Sequence, residues 1–344
     1  MSSRQVTEFS AFSRDFFPNM PFFETVRLAL VRHPVGVHSL AAPANEQEFA
    51  AFVARVGGSV PPLVREFWAT WNGGTLFHEA VCLHPVQDIE RADSGWLCFG
   101  ESSDGVLWLS GEGRVVLVQD ETHDPLVAGS DFGVWLDITT AREALLLDEE
   151  GEFRDVFDDD DGTLKPSIQR KRTMLGRKRD PHASLYLFEL AEIELEHGRS
   201  ELAIAHLQNA VSQDEHAGPA WALLASLESQ AGRAKEAAFA MKQAAAATLD
   251  PSLRAQRLLE AALFTADAAE QEMLLDSAVS IHPELGANLV SVLRRQLAEG
   301  QMADAKQVLA RLRCLGARIQ NGAGEELAVL ERECRTRDAL RVLS

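Results

Sequence analysis

The sequence predicts two fold classes on one chain. An α+β domain, an antiparallel sheet with flanking helices, is followed by an all-α superhelix of stacked helical hairpins. Three observations carry this. Residues 60–77 read V-P-P-L-V-R-E-F-W-A-T-W-N-G-G-T-L-F, a short aromatic helix stopped by Asn72-Gly73-Gly74 and followed by extended chain. Short apolar runs broken by glycine turns continue to about residue 147, and a helical period of 34 residues sets in near residue 182. A chain of 344 residues holds two domains with ample core.

In chain order, Phe16, Phe17, Phe22 and Phe23 flank Pro18 and Pro21 and read as a cap on the first core. Asn45 is an N-cap, with Glu46 and Glu48 where the helix dipole favours negative charge. Phe49, Phe52, Val53 and Val56 form its apolar stripe, and Gly57-Gly58 end it. The next helix, Pro61 to Trp71, opens on proline, whose missing N–H costs nothing there. Its apolar residues Val64, Phe67, Trp68 and Trp71 fall at i, i+3, i+4 and i+7. Strands are expected at 75–83, 95–100, 105–109 and 114–120, the last two joined by the hairpin loop Ser110-Gly111-Glu112-Gly113. Ser130 or Asp131 then caps a helix bearing Phe132, Trp135 and Leu136.

Proline, aromatic helix, Asn-Gly-Gly and strand, followed by Phe99-Gly100, Gly105, the hairpin, Val118 and Phe132-x-x-Trp135-Leu136, resemble the SUKH superfamily, the Smi/Knr-like domains. The resemblance covers residues 45–147 within a domain expected at 1–147. Val53 stands where many members carry an acid. The resemblance implies an α+β fold and a bacterial immunity protein that binds and neutralises a secreted polymorphic toxin. Trp68, Asn72, Gly73 and Gly74 at the corner are then partner-binding candidates. Trp96 and Trp108 join them as the tryptophans nearest turns, since exposed tryptophan is enriched at interface hot spots.

Residues 148–180 read as a charged linker. Nine acids between Asp148 and Asp161 repel one another, and seven basic residues follow from Lys165 to Arg179. The basic run reads either as a docking segment or nuclear-targeting patch, or as the half of a tether that partly neutralises the acidic half.

From 181 to 344 the chain repeats. Gly198, Gly232 and Gly300 share one phase, as do Ala203, Ala237, Ala305 and Ala339, and Ala210, Ala244 and Ala278. The pattern resembles the tetratricopeptide repeat, with units at 184–217, 218–251, 252–285 and 286–319 and a truncated fifth at 320–344. Gln271 and Leu312 replace small residues in the later units. The resemblance places Phe188, Glu192, Ala222, Ser226, Gln256, Glu260, Val290 and Arg294 along the groove that such arrays offer to a peptide or protein. Arg294 alone among them suits a carboxylate clamp, so a mixed or basic ligand is expected.

The formal charge of −19, with −10 in residues 1–147, argues against nucleic acid and suits a basic protein partner, for example a toxin domain. Cys82, Cys98, Cys314 and Cys334 are scattered and read as reduced thiols of a cytoplasmic protein. No run is long enough for a membrane span. His78, Cys82 and His84 do not have zinc spacing, and His123-Asp124 reads as a solvated polar loop. No catalytic residue, metal or cofactor is expected. The expected function is toxin neutralisation, and the alternative is a scaffold or regulator that recruits signalling or secretion partners through the array.

Overall fold

The computed structural model describes residues 28, 30, 36–57, 60–92, 94–119, 124–158, 162–319 and 323–343. The phenylalanines flanking Pro18 and Pro21 lie outside the described residues, as does Gly58. The chain divides into two compact units, one ending at Asp214 and the other running from Glu215, with Asp124 belonging to the second.

The first unit is built on one antiparallel sheet of β1 (Ser39–Leu40), β2 (Gly74–Leu76), β3 (Val81–Leu83), β4 (Glu90–Arg91), β5 (Leu97–Ser102), β6 (Gly105–Leu109), β7 (Val115–Val118) and β8 (Pro125–Gly129). The order is β1-β2-β3-β5-β6-β7-β8, with β4 also paired to β5. Three helices precede or follow the strands: α1 (Glu46–Val56), α2 (Pro62–Thr70) and α3 (Phe132–Glu143). Asn45 caps α1 reciprocally, its Oδ1 accepting from Glu48 N while Glu48 Oε2 accepts from Asn45 N, both at 2.9 Å. The cross-strand row Gly100, Leu107, Leu117 and Leu126 faces the core. Phe67, Trp68, Phe99, Phe132 and Trp135 pack there edge to face or tilted, in the geometry aromatic quadrupoles prefer.

The expected single strand at 75–83 is two strands. Phe77, His78 and Glu79 all take left-handed backbone, with φ of 55°, 52° and 69°. No glycine or proline marks the turn. It is held instead by burial of Phe77, by Phe77 N donating to His38 Nδ1 (3.2 Å) and by His78 N donating to Val37 O (2.9 Å). His78, Cys82 and His84 therefore do not share one strand face.

Residues 148–180, expected as a linker, hold two bridged segments, Leu147 with Phe153 and Phe157 with Leu164, and then α4 (Pro166–Arg179). Three of its six cations are spent on specific acids: Arg172 on Glu143, Arg179 on Asp137 (2.9 Å) and Arg170 on Glu194 (2.9 Å). α5 (Ser184–Glu196) and α6 (Ser200–Gln213) complete the unit. β8, unforeseen in the sequence, is a sheet edge, and α5 covers it. Val127 N donates to Ser184 Oγ (3.0 Å), Ser184 Oγ donates to Asp214 Oδ2 (2.8 Å), and Tyr186 OH donates to Ala128 O (2.9 Å). The first helical hairpin starts at Ser184, and the compact units part at 214, because that hairpin is bonded to the sheet.

The second unit is helical: α7 (Gly218–Gln230), α8 (Ala234–Ala247), α9 (Pro251–Phe264), α10 (Ala268–Ile281), α11 (Leu285–Ala298), α12 (Met302–Leu315) and α13 (Ala323–Leu343). First helices end at Glu196, Gln230, Phe264 and Ala298, and second helices start at Ser200, Ala234, Ala268 and Met302, each 34 residues after the last. The turn between them recurs too. Arg199 N, Arg233 N and Gln301 N reach back to Glu194 O, Glu228 O and Gln296 O at 2.8–2.9 Å, beside Gly198, Gly232 and Gly300 at φ of 69–75°. The third hairpin lacks that glycine. There Asp267 caps α10 by accepting from Glu270 N (2.9 Å), and Gln271 is accommodated by donating to Ala262 O (2.9 Å).

Asp124, expected in a solvated loop, is 0% exposed and belongs to this helical unit. Arg257 on α9 binds its Oδ2 and also donates to Thr248 Oγ1 and, at 3.1 Å, to Ala244 O. The other oxygen of Asp124 has no hydrogen-bond partner among the described residues.

Two stability predictions follow from these buried bonds. Ser184→Ala leaves Val127 N–H without its acceptor and is expected to cost about 1–3 kcal/mol in denaturant unfolding; a change within error would mean water replaces the hydroxyl. Arg257→Ala strands a buried carboxylate and is expected to cost about 3–5 kcal/mol, while Arg257→Met with Asp124→Leu recovers most of it. A double variant no better than the single one would contradict this account of the pair.

Candidate functional site

The helix–Gly-Gly–strand corner is structural. Trp68 is 0% exposed, and its Nε1 donates to His84 O at 2.8 Å. Asn72 is buried, with its Oδ1 accepting from Val86 N at 2.9 Å. Gly73 has φ of 78°, and a Cβ there would stand 2.5 Å from Leu83 O. A Cβ at Gly74 would stand 2.2 Å from Ser39 O. Trp68, Asn72, Gly73 and Gly74 hold strands together, so the corner is corrected from a partner-binding site to a packing device.

Trp96 and Trp108, by contrast, are half-buried. Trp108 stands on β6 opposite Cys98 and Val116, on the sheet face away from Leu107. Val106 and Val118, paired across the same two strands, are half-buried on that face, as is Cys98. The outward positions of β6 are thus valine and tryptophan, a partly open apolar face of the first unit. The run G-V-L-W-L announced it, being apolar at outward as well as inward positions. Sequence reasoning missed the left-handed turn, which presents His78 and Glu79 to solvent beside the exposed ring of Phe153, 5.5 Å from His78.

Among the expected groove residues, Phe188 and Val290 are buried and cannot touch a ligand. α5 is apolar nearly all round, L-Y-L-F-E-L-A-E-I, which is the pattern of a helix packed on several sides. Glu260 is bound by Arg311 and Arg294 by Glu326, so both serve the array itself. Gln256 is exposed, Ala222 and Ser226 are half-buried, and these remain open to a partner. The structure brings Ala222, Ser226 and Gln256 into one helical unit.

Glu192 on α5 is exposed, and yet partial desolvation, with the Glu189 and Glu196 carboxylates beside it, pushes its carboxyl up to about 7. Burial likewise raises the thiols of Cys82, Cys98 and Cys314. Among the described residues there is no group of three His, Cys, Asp or Glu placed to hold a metal ion, and no helix long and apolar enough to cross a membrane.

A pH effect of definite sign follows. Between the ordinary value of 4.5 and about 7, folded Glu192 holds a proton that the unfolded chain has released. Its contribution to stability is therefore full below that window and lost as pH rises through 7. Glu192→Gln removes the slope, so its Tm relative to the unsubstituted protein should rise across the window. A pH-independent difference would contradict the assignment.

No family model matches the chain, and no curated protein does. Among solved structures the chain is similar to MamA, with 16% identity and a TM-score of 0.31 over 52% of this chain and 92% of that one. It is also similar to PilF of Pseudomonas aeruginosa, with 15% identity and a TM-score of 0.33 over 51% of this chain and 80% of that one. On its own geometry, the chain joins an antiparallel sheet unit to a helical region whose 34-residue hairpins fit a tetratricopeptide array.

Proposed function

We propose that this chain is a non-enzymatic scaffold or regulator, working in the cytoplasm, that recruits protein partners through a tetratricopeptide array. The observation that carries the reading is the return of one helical hairpin, with its turn bonds, every 34 residues. Stacked hairpins of this kind offer an extended surface for another polypeptide. Ser226 and Gln256 are the open polar positions on the first helices of that array. A binding role is also supported by the chemistry of the interior. Of its buried carboxylates, Asp124, Glu194 and Glu228 are tied to arginines while Asp180 and Asp214 accept from Ser130 N and Ser184 Oγ, and the raised thiols of Cys82, Cys98 and Cys314 are poor nucleophiles.

The second reading is a SUKH-like immunity protein whose sheet unit grips a basic toxin domain. The observation favouring it is the apolar sheet face around Trp108, set in a stretch of chain with charge −10. One experiment separates the two. The full chain, tagged and used to capture partners from its native host, is compared with Ser226→Arg/Gln256→Arg and with Trp108→Ala. The scaffold reading expects the array variant to lose its partner by about tenfold or more and Trp108→Ala to retain it. The reverse result would overturn the scaffold reading and move the partner to the sheet face, where rescue of cells from a co-expressed toxin becomes the decisive assay.

A further inference from the structure

The motif that the scaffold reading leaves unused is the basic run. In the structure it is α4, whose fourteen residues P-S-I-Q-R-K-R-T-M-L-G-R-K-R include six cations and no acid. Arg172 and Arg179 turn toward α3 and are consumed by Glu143 and Asp137. Lys171 and Lys178 are exposed and have no acid partner among the described residues. Between them, one helical turn from each, lies Met174, a large apolar side chain 49% exposed.

The surface continues onto α6. Arg170 of α4 and Arg199 at the start of α6 both bind Glu194, which is itself buried, so each guanidinium keeps more than 40% of its side chain in solvent. Leu202, one turn into α6, is 51% exposed. His206, one turn further, is held below its ordinary pKa by desolvation, against the pull of Glu194, and the nearby charges of Arg170 and Arg177 add to the depression. α4 and α6 thus meet at Glu194, and beside that junction they carry the exposed cations Arg170, Lys171, Lys178 and Arg199 and two exposed apolar side chains, Met174 and Leu202. The surface stands on a chain whose net charge is −19.

We propose that this α4–α6 face is a docking surface for an acidic segment of a protein partner, one that sets apolar side chains on Met174 and Leu202 and carboxylates on the surrounding cations. Charge complementarity selects the occupant. A basic partner would be repelled by the face and a neutral one would leave Lys171 and Lys178 unanswered. The described part of the chain's own acidic stretch is already engaged: Val156 is buried, Phe157 bridges Leu164, and Asp155 pairs with Lys165 at 2.5 Å. Duplex nucleic acid would meet the same cations, and it would also meet the field of a strongly acidic protein while finding no use for the two apolar anchors. The proposal goes beyond the array reading and does not depend on it, because Ser226 and Gln256 take no part.

The test uses the full chain and a fluorescein-labelled helical peptide of about 15 residues, rich in Glu with two Leu one turn apart, followed by anisotropy at low salt. Binding that weakens about tenfold in Lys171→Glu/Lys178→Glu, and by a comparable factor in Met174→Ser/Leu202→Ser, supports the proposal. Both pairs are exposed, and an unchanged Tm shows that the variants remain folded. Ser226→Arg/Gln256→Arg should bind the peptide as the unsubstituted protein does. Equal binding by the lysine variant would overturn the proposal. So would a duplex DNA of similar length that binds more tightly and is lost in the lysine variant alone. A synthetic peptide of residues 148–161 that outcompetes the probe would overturn the choice of an outside partner.

Discussion

The constraint on which the first unit depends is the open edge of its sheet. β8 ends the strand order, and an uncovered edge leaves backbone donors and acceptors without partners and invites pairing with other chains. Side chains of a helix, and no further strand, close it here: Ser184 Oγ accepts from Val127 N, and Tyr186 OH donates to Ala128 O. One residue past the strand, Ser130 N donates to Asp180 Oδ2 at 2.6 Å. To deliver those groups α5 must lie along β8, which buries a second flank of the helix. Its near-uniform apolarity and the burial of Phe188 follow directly. So does Gly176 of α4, where a Cβ would press to 2.6 Å on the Tyr186 ring.

Burial on that scale brings ionisable groups inside, and the molecule answers with pairs. Arg142 meets Glu189 and lies over the Tyr186 ring, Arg172 meets Glu143, and Glu194 is held by two arginines. In the helical unit the same logic recurs with Arg257 on Asp124 and Arg233 on Glu228. Such pairs add little stability over apolar residues of equal volume, since desolvation offsets their attraction. Their effect lies in register: each fixes a helix against one neighbouring segment at a single setting. The Glu194–Arg199 and Glu228–Arg233 pairs hold equivalent turns, and where Gln296 and Gln301 take those places the backbone bond alone persists.

What the sequence made legible were features whose signal is local. Asn45 with Glu48 is a complete capping box in four residues, Gly-Glu-Gly marks a hairpin, and the glycines at 198, 232 and 300 fix a helical period. What it hid was set by distant partners. T-L-F-H-E-A-V-C-L contains no breaker, and its left-handed turn exists because His38 and Val37 hold it. β8 is only five residues beginning with proline, and its neighbour Asp124 looks solvated until Arg257, over a hundred residues away, is placed beside it. The corner tryptophan and asparagine were mistaken for a binding site because aromatic richness does not distinguish a core from a surface. Trp108 was singled out for its nearness to a turn; the apolar outward positions of its strand, Val106 and Trp108, are local features of G-V-L-W-L that need no distant partner to be read.

The basic helix joins these two themes. Within α4 the cations bound to acids, Arg170, Arg172 and Arg179, are all arginine, and Arg177 donates to Pro181 O; the two exposed cations with no acid partner among the described residues are both lysine. The division follows from side-chain chemistry. A guanidinium is weakly hydrated and presents a planar fork, so it tolerates partial burial and binds carboxylates with fixed geometry. An ammonium is strongly hydrated on a flexible stem, and it is favoured where water remains. On a chain with only six lysines, two of them fall one turn either side of an exposed methionine. Arg172 and Arg179 orient the helix against α3, and Lys171 and Lys178 keep its other face hydrated. α4 therefore has one side built for the protein's own acids and another left for acids that the protein does not itself supply.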